Sequence, residues 1–144
     1  MATGTLTPKS RTLTNLFPTP TTVHPILISY SSSKNVFEVG PPQNVSNGDV
    51  LTWNCPDSEV TITFPRIAGA KIVDPESISF GPSHNGSMRV VIVDFEAINN
   101  SPTVASKKDA TGRIIVTVPY SVYCTANNAY AVGTSDPKII VKGP

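Results

Sequence analysis

Residues 112–133 read GRIIVTVPYSVYCTANNAYAVG, and the fold turns on the alternation in the first half of this stretch. Ile114, Val116, Val118, Tyr120 and Val122 occupy even positions, so an extended chain carries all of them on one face. Pro119 falls on the other face without a ladder N–H, which marks an edge position or a bulge. A period of two held this long in β-branched and aromatic residues predicts a half-buried strand. The same alternation recurs in Val60-Thr61-Ile62-Thr63-Phe64, with apolar side chains on one face and hydroxyls on the other. Ile26–Tyr30, Val36–Val39, Val50–Cys55, Ile78–Phe80 and Lys138–Lys142 supply further strands. SSSKN, Gly40-Pro41-Pro42 and Asn47-Gly48-Asp49 supply turns between them. Arg89–Phe95, RVVIVDF, is apolar without alternation and predicts a central strand covered on both faces. Residues 97–112, AINNSPTVASKKDATG, read as a polar loop.

With 144 residues, 14 prolines and 9 glycines, and no amphipathic helical period, the chain is expected to be one all-β domain. The expected architecture is a two-sheet Greek-key β-sandwich of about seven or eight strands over residues 24–144. Residues 1–23, rich in Thr and Pro, have no period that defines a buried face, and predict an extended N-terminal arm on which Leu16 and Phe17 offer docking side chains. Eleven basic against ten acidic residues, a net charge of +1, give no electrostatic case for nucleic acid or an anionic membrane. No apolar run is long enough for a membrane span, and the N-terminal stretch lacks the apolar core of a signal peptide. Two cysteines far apart suit an oxidising compartment, so the expected location is extracellular or periplasmic, with the cytoplasm as the alternative.

NVSNGDVLTWNCPDSEVTITF, followed downstream by GRIIVTVPYSVYCTANNAYAVGTSDPKIIVK, resembles the cupredoxins, the plastocyanin- and azurin-type copper β-sandwiches, from about Gly40 onward. Gly48-Asp49, Trp53, Phe64, Tyr120, Tyr123, Cys124, Gly133 and the closing KIIV fall in the family's order. The resemblance implies a cupredoxin-like fold, but not its copper. A blue-copper site needs two imidazoles, a thiolate and a weak axial thioether. Cys124 stands at the thiolate position, whereas Asn127 and Val132 stand where the family has its second His and its Met, and Glu59 or Val60 stands at the first His. The expectation is therefore no type 1 copper, no cofactor and no metal ligands.

Also by the resemblance, Cys55 and Cys124 lie near strand ends that run toward the same end of the sandwich. They are candidates for a disulfide, which would close a loop of about 70 residues and stabilise the fold by a few kcal/mol where the Cα atoms come within about 7 Å. Two buried free thiols are the rival reading. His24 and His84 are read as exposed loop residues, and the scattered acids, Asp49 among them, as solvated surface carboxylates. With no GxSxG elbow and no Cys-His signature, no catalytic residues are expected. The loop CTANNAYA is the candidate binding surface, with Asn127, Asn128 and Tyr130 offering stacking and adaptable hydrogen bonding. The expected function is a non-enzymatic, copper-free structural or interaction module, at a cell surface or self-assembling, with a protein partner or a second copy of itself. The alternatives are a metalloprotein using Cys124 and Cys55 with His84 or Met88, and an immunoglobulin-like adhesion domain. The latter expects Tyr two residues before its second Cys, where Val122 stands here.

Overall fold

A computed structural model of the chain describes residues 21–132 and 137–143. The expected arm lies outside the described residues up to position 20, as does Gly133. The described chain is all-β apart from one short helix. In order it runs β1 (Val23–Ser31), β2 (Val36–Val39), β3 (Gln43–Val45), β4 (Val50–Asn54), β5 (Val60–Thr63), β6 (Val73–Asp74), β7 (Ser77–Phe80), β8 (Gly86–Val90), α1 (Phe95–Asn99), β9 (Ala105–Lys108), β10 (Ile114–Pro119), β11 (Ser121–Cys124), β12 (Ala129–Tyr130) and β13 (Lys138–Lys142).

Hydrogen bonding divides these strands into three sheets, ordered β2-β1-β4-β8-β6, β12-β11-β5-β7 and β9-β10-β13-β3. Two pairings are parallel, β1 with β4 and β13 with β3, and the rest of the ladders are antiparallel. The opening stretch spans two sheets. Its residues 115–119 pair with β13 and its residues 121–124 pair with β5. At the change of partner the Tyr120 N–H still bonds on the β13 side, donating to the Pro137 carbonyl at 2.9 Å. Pro119 ends β10 with its side chain exposed, consistent with a residue that cannot donate to a ladder. The alternation survives the break, since Val116, Val118, Tyr120, Val122 and Cys124 are all buried.

Gly86 on β8 marks a close approach between sheets. A Cβ there would sit 2.4 Å from the Phe80 ring and 2.6 Å from the Ile78 Cδ1, so only glycine lets β8 lie against the β7 side chains.

RVVIVDF is not one strand buried on both faces. β8 ends at Val90, and within Gly86–Val90 the residues alternate between core and solvent. Val93 is 96 % exposed. The chain leaves the sheet because Asp94 caps α1, its Oδ1 accepting from the Ala97 N–H at 3.1 Å. The segment read as polar loop therefore holds most of a single helical turn and the exposed edge strand β9.

The core centres on three aromatic rings, one from each of three segments. Trp53 of β4 is fully buried. It lies 5.7 Å from Tyr120 and 6.2 Å from Phe64, between ring centroids, and Phe64 stacks on Tyr120 at 4.6 Å. The indole Nε1–H donates to the Tyr120 hydroxyl at 3.2 Å, which satisfies a buried donor. Burial pushes the Tyr120 pKa up to about 12, with the Trp53 N–H offsetting part of that rise.

Trp53→Ala is expected to lower the unfolding free energy by about 3–5 kcal/mol. Tyr120→Phe, which strands the indole N–H, is expected to cost about 1–3 kcal/mol. Urea denaturation reads both. Because Tyr120 ionises near 12 when folded and from 10 when not, its contribution is complete below pH 10 and disappears as pH rises through 12. Tyr120→Phe should flatten that alkaline loss.

Candidate functional site

The residues at the root of CTANNAYA are held by the loop that carries Cys55. β11 and β12 form a hairpin around Thr125–Asn128, and Asn128 takes a left-handed φ of 51°, a conformation that Asn tolerates better than most residues. The Thr125 N–H donates to the Glu59 carbonyl at 3.0 Å, and the Ala126 N–H to Ser58 Oγ at 3.1 Å. Ser58 is itself buried, and its hydroxyl donates to the Glu59 carbonyl at 2.6 Å. Past the hairpin, Val132 bridges to β2. Its N–H donates to the Phe37 carbonyl at 2.9 Å and its carbonyl accepts from the Val39 N–H at 2.8 Å. The hairpin is thus bonded to two other parts of the fold and forms a fixed mount.

Cys55 and Cys124 are brought together at this root, close enough for a charge on Cys55 to act on Cys124. The structure carries both as free, buried thiols. Burial, with a smaller contribution from the neighbouring Cys55, pushes the Cys124 thiol up to about 11. Burial also raises Cys55, against partial relief from the backbone N–H groups of Asp57 and Ser58. Neither environment favours the thiolate, which is the form that attacks or binds a metal.

The copper that the resemblance brings to mind does not fit these residues. Asn127 and Glu59 are exposed, Val132 bridges to β2 through its backbone and offers only an aliphatic side chain, and Val60 is buried in the core, so none supplies the missing imidazoles or thioether. Among the described residues, no three His, Cys, Asp or Glu side chains gather where a metal could be held. His84 is exposed on its turn, bonded through Nδ1 to Ser83 at 3.1 Å, and Met88 is buried on β8 opposite Leu51.

Two expectations from the sequence are corrected here. His24 is no exposed loop residue but lies within β1, its side chain 13 % exposed, and its Nε2 donates to Asp49 Oδ2 at 2.8 Å. Asp49 is no solvated surface carboxylate but is 8 % exposed. Its carboxylate also accepts from the Ser46 N–H at 3.0 Å and the Thr22 N–H at 3.4 Å. Burial acts to raise its pKa, but the bonds from Ser46, His24 and Thr22 outweigh it and hold the carboxyl below its ordinary value. The parallel pairing of β1 with β4 forces this contact, because it lays Val23 beside Val50 and so brings His24 against the turn that carries Asp49.

Of the binding candidates, Tyr130 is 63 % exposed. Its ring meets Tyr123 edge-on at 5.2 Å with 73° between planes, and the Tyr123 hydroxyl donates to Asn128 Oδ1 at 3.4 Å. Asn127 projects separately at the tip. Tyr130 also borders a cleft of about 450 Å³ lined by Thr63, Pro65, Pro119, Ser121 and Pro137, within the range of roughly 300–1,000 Å³ seen for small-ligand sites. The sequence missed that Tyr123, Thr61, Thr63 and Ser121 share this surface.

Iodoacetamide at pH 8 should label neither cysteine in the folded chain and both in denaturant without reductant. A requirement for reductant would instead reveal a bridge. Asp49→Asn should destabilise the fold by about 1–3 kcal/mol at neutral pH. Since the folded carboxyl lies below its ordinary value, Asp49 stabilises above that value and the effect vanishes as pH falls through the folded pKa. In urea denaturations the gap between wild type and variant should therefore narrow progressively as the pH is lowered from 7 through the carboxylate range. Set beside known proteins, the chain yields no family: no family model matches it, and no curated protein matches it.

Proposed function

We propose that this chain is a non-enzymatic, copper-free module of the cupredoxin-like kind, working outside the cytoplasm by recognition at its surface. The observation that carries this reading is the pairing of a closed root with an open face. Around Cys124, itself buried, the positions that a copper site would use carry Asn127, Val132 and Glu59 or Val60, none of which offers an imidazole or a thioether. Immediately beside them, Tyr130 stands exposed on a hairpin braced against two other segments.

The strand arrangement supports the family likeness. β10 and β11 are one bent stretch of chain, which supports reading the two sheets it joins as one curved layer of a two-layer sandwich. A turn at Gly48-Asp49 introduces β4, Phe64 follows β5, Cys124 ends β11, and the residues KIIV lie in β13, in the order that the resemblance requires. The parallel pairings of β1 with β4 and β13 with β3 count against an immunoglobulin-like domain, which is built from two antiparallel sheets. An unusual metal centre on the two cysteines is likewise disfavoured, because among the described residues no group of three His, Cys, Asp or Glu side chains gathers where a metal could be held.

Native mass spectrometry after incubation with Cu(II) and desalting tests the reading. The expected result is the mass of the metal-free chain, unchanged by Cys124→Ser. One copper retained per chain and lost in that variant would replace the recognition module with a metalloprotein.

A further inference from the structure

The outer face of the β12-β11-β5-β7 sheet carries an unusual composition once its register is followed. One transverse row runs Tyr130, Tyr123, Thr61, Ser79, each opposite the next across a ladder. The adjoining row runs Ser121, Thr63, Ser77. Every side chain in both rows bears a hydroxyl, and none carries a charge at neutral pH. Neighbours within a row stand about 4.8 Å apart, and the rows about 6.8 Å apart, as the spacing of strands and of alternate residues dictates. All seven are at least partly open to solvent.

These hydroxyls are ordered rather than saturated. Thr61 bonds to Ser79 at 2.8 Å and Thr63 to Ser77 at 3.1 Å. Each hydroxyl has one donor and two acceptor positions, so a pair that shares one bond keeps further capacity facing outward. Tyr130 stands at the end of the first row, edge-braced by Tyr123, and borders the proline-lined cleft where the second row ends at Ser121. The face thus combines a braced aromatic ring, an apolar wall and a neutral hydroxyl array.

We propose that this face binds a neutral carbohydrate. A pyranose ring has the matching chemistry: an apolar C–H face to lie on a tyrosine ring or against proline, and equatorial hydroxyls to exchange bonds with serine and threonine. Neither row holds a cation to pair with an acidic glycan or a phosphorylated ligand, which favours a neutral one. A protein interface of useful affinity would call for a larger dehydrated aliphatic or aromatic centre than these rows provide. The proposal rests on the recognition reading above and names the ligand class of the same site.

Affinity electrophoresis of the full chain in native gels cast with soluble neutral polysaccharides, a β-1,3-glucan, hydroxyethylcellulose, xylan and galactomannan, tests it. A polygalacturonate gel serves as the acidic control. The expected outcome is retardation in at least one neutral gel and none in the acidic gel. Tyr130→Ala should weaken that retardation about tenfold or more, on the scale of an interface anchor. Tyr130→Phe should keep most of it, and Tyr30→Ala, an exposed tyrosine on another sheet, should leave it unchanged. Because Tyr130 is largely solvent-exposed, its replacement leaves the core intact. The proposal is overturned if no neutral gel retards the protein, or if Tyr130→Ala migrates like wild type. Should the gels show nothing while Tyr130→Ala alters the sedimentation coefficient, the face joins copies of the chain, and the carbohydrate falls while recognition stands. Copper retention in the mass experiment would instead remove the recognition reading itself.

Discussion

The contact on which the rest of the structure depends is the meeting of Trp53, Phe64 and Tyr120. Each ring comes from a different part of the chain, and between them they touch all three sheets: β4 in one, the end of β5 in the second, and the junction of β10 with β11 where the second meets the third. The hydrogen bond from the indole to the phenol fixes their mutual orientation and lets a polar pair lie buried without an unmet donor. Because Tyr120 sits where the strand changes partners, the cluster also fixes where one sheet stops and the next begins. The hairpin that carries Tyr130 starts at the very next residue, with β11, and inherits its position from that junction.

Local pattern in the sequence reached far into this fold, but only where the information was local. The alternation in residues 60–64 and 114–122 predicted the buried faces correctly, because which side of a strand a residue occupies depends only on the count from its neighbours. The break at Tyr120 left no trace in that pattern. Val118, Tyr120 and Val122 all point inward, and what changes is the partner strand. RVVIVDF misled for the opposite reason: its apolar run crosses a strand end, an exposed Val93 and a helix start capped by Asp94, so composition concealed three different backbone states.

The site was legible to the same degree. Tyr130 and its amide neighbours were visible as an exposed turn, and Thr61, Thr63, Ser77 and Ser79 as the polar sides of their strands. Their union into two rows depends on β5 lying between β11 and β7, a fact of tertiary pairing that no spacing encodes. The bond between His24 and Asp49 was hidden similarly, since 25 residues separate them and only the parallel pairing of β1 with β4 joins them. A histidine and a carboxylate in one sequence are common, and what makes this pair structural is the pocket of backbone N–H groups that surrounds the acid.

The parallel union of β3 with β13 also sets the order of events during synthesis. Gln43 pairs with Ile139 and Val45 with Val141, so a strand made early waits for one made roughly a hundred residues later. Until β13 leaves the ribosome, β3 has no partner and β10 shows an open edge where β13 will lie. Such an edge is a template for pairing with other nascent chains. Contacts so distant along the chain also slow the search for the native pairing, because loop-closure entropy must be met before they form. The exposed Lys107 and Lys108 at the outer edge of β9 guard one border of that sheet, whereas the inner border is protected only once the last strand is in place.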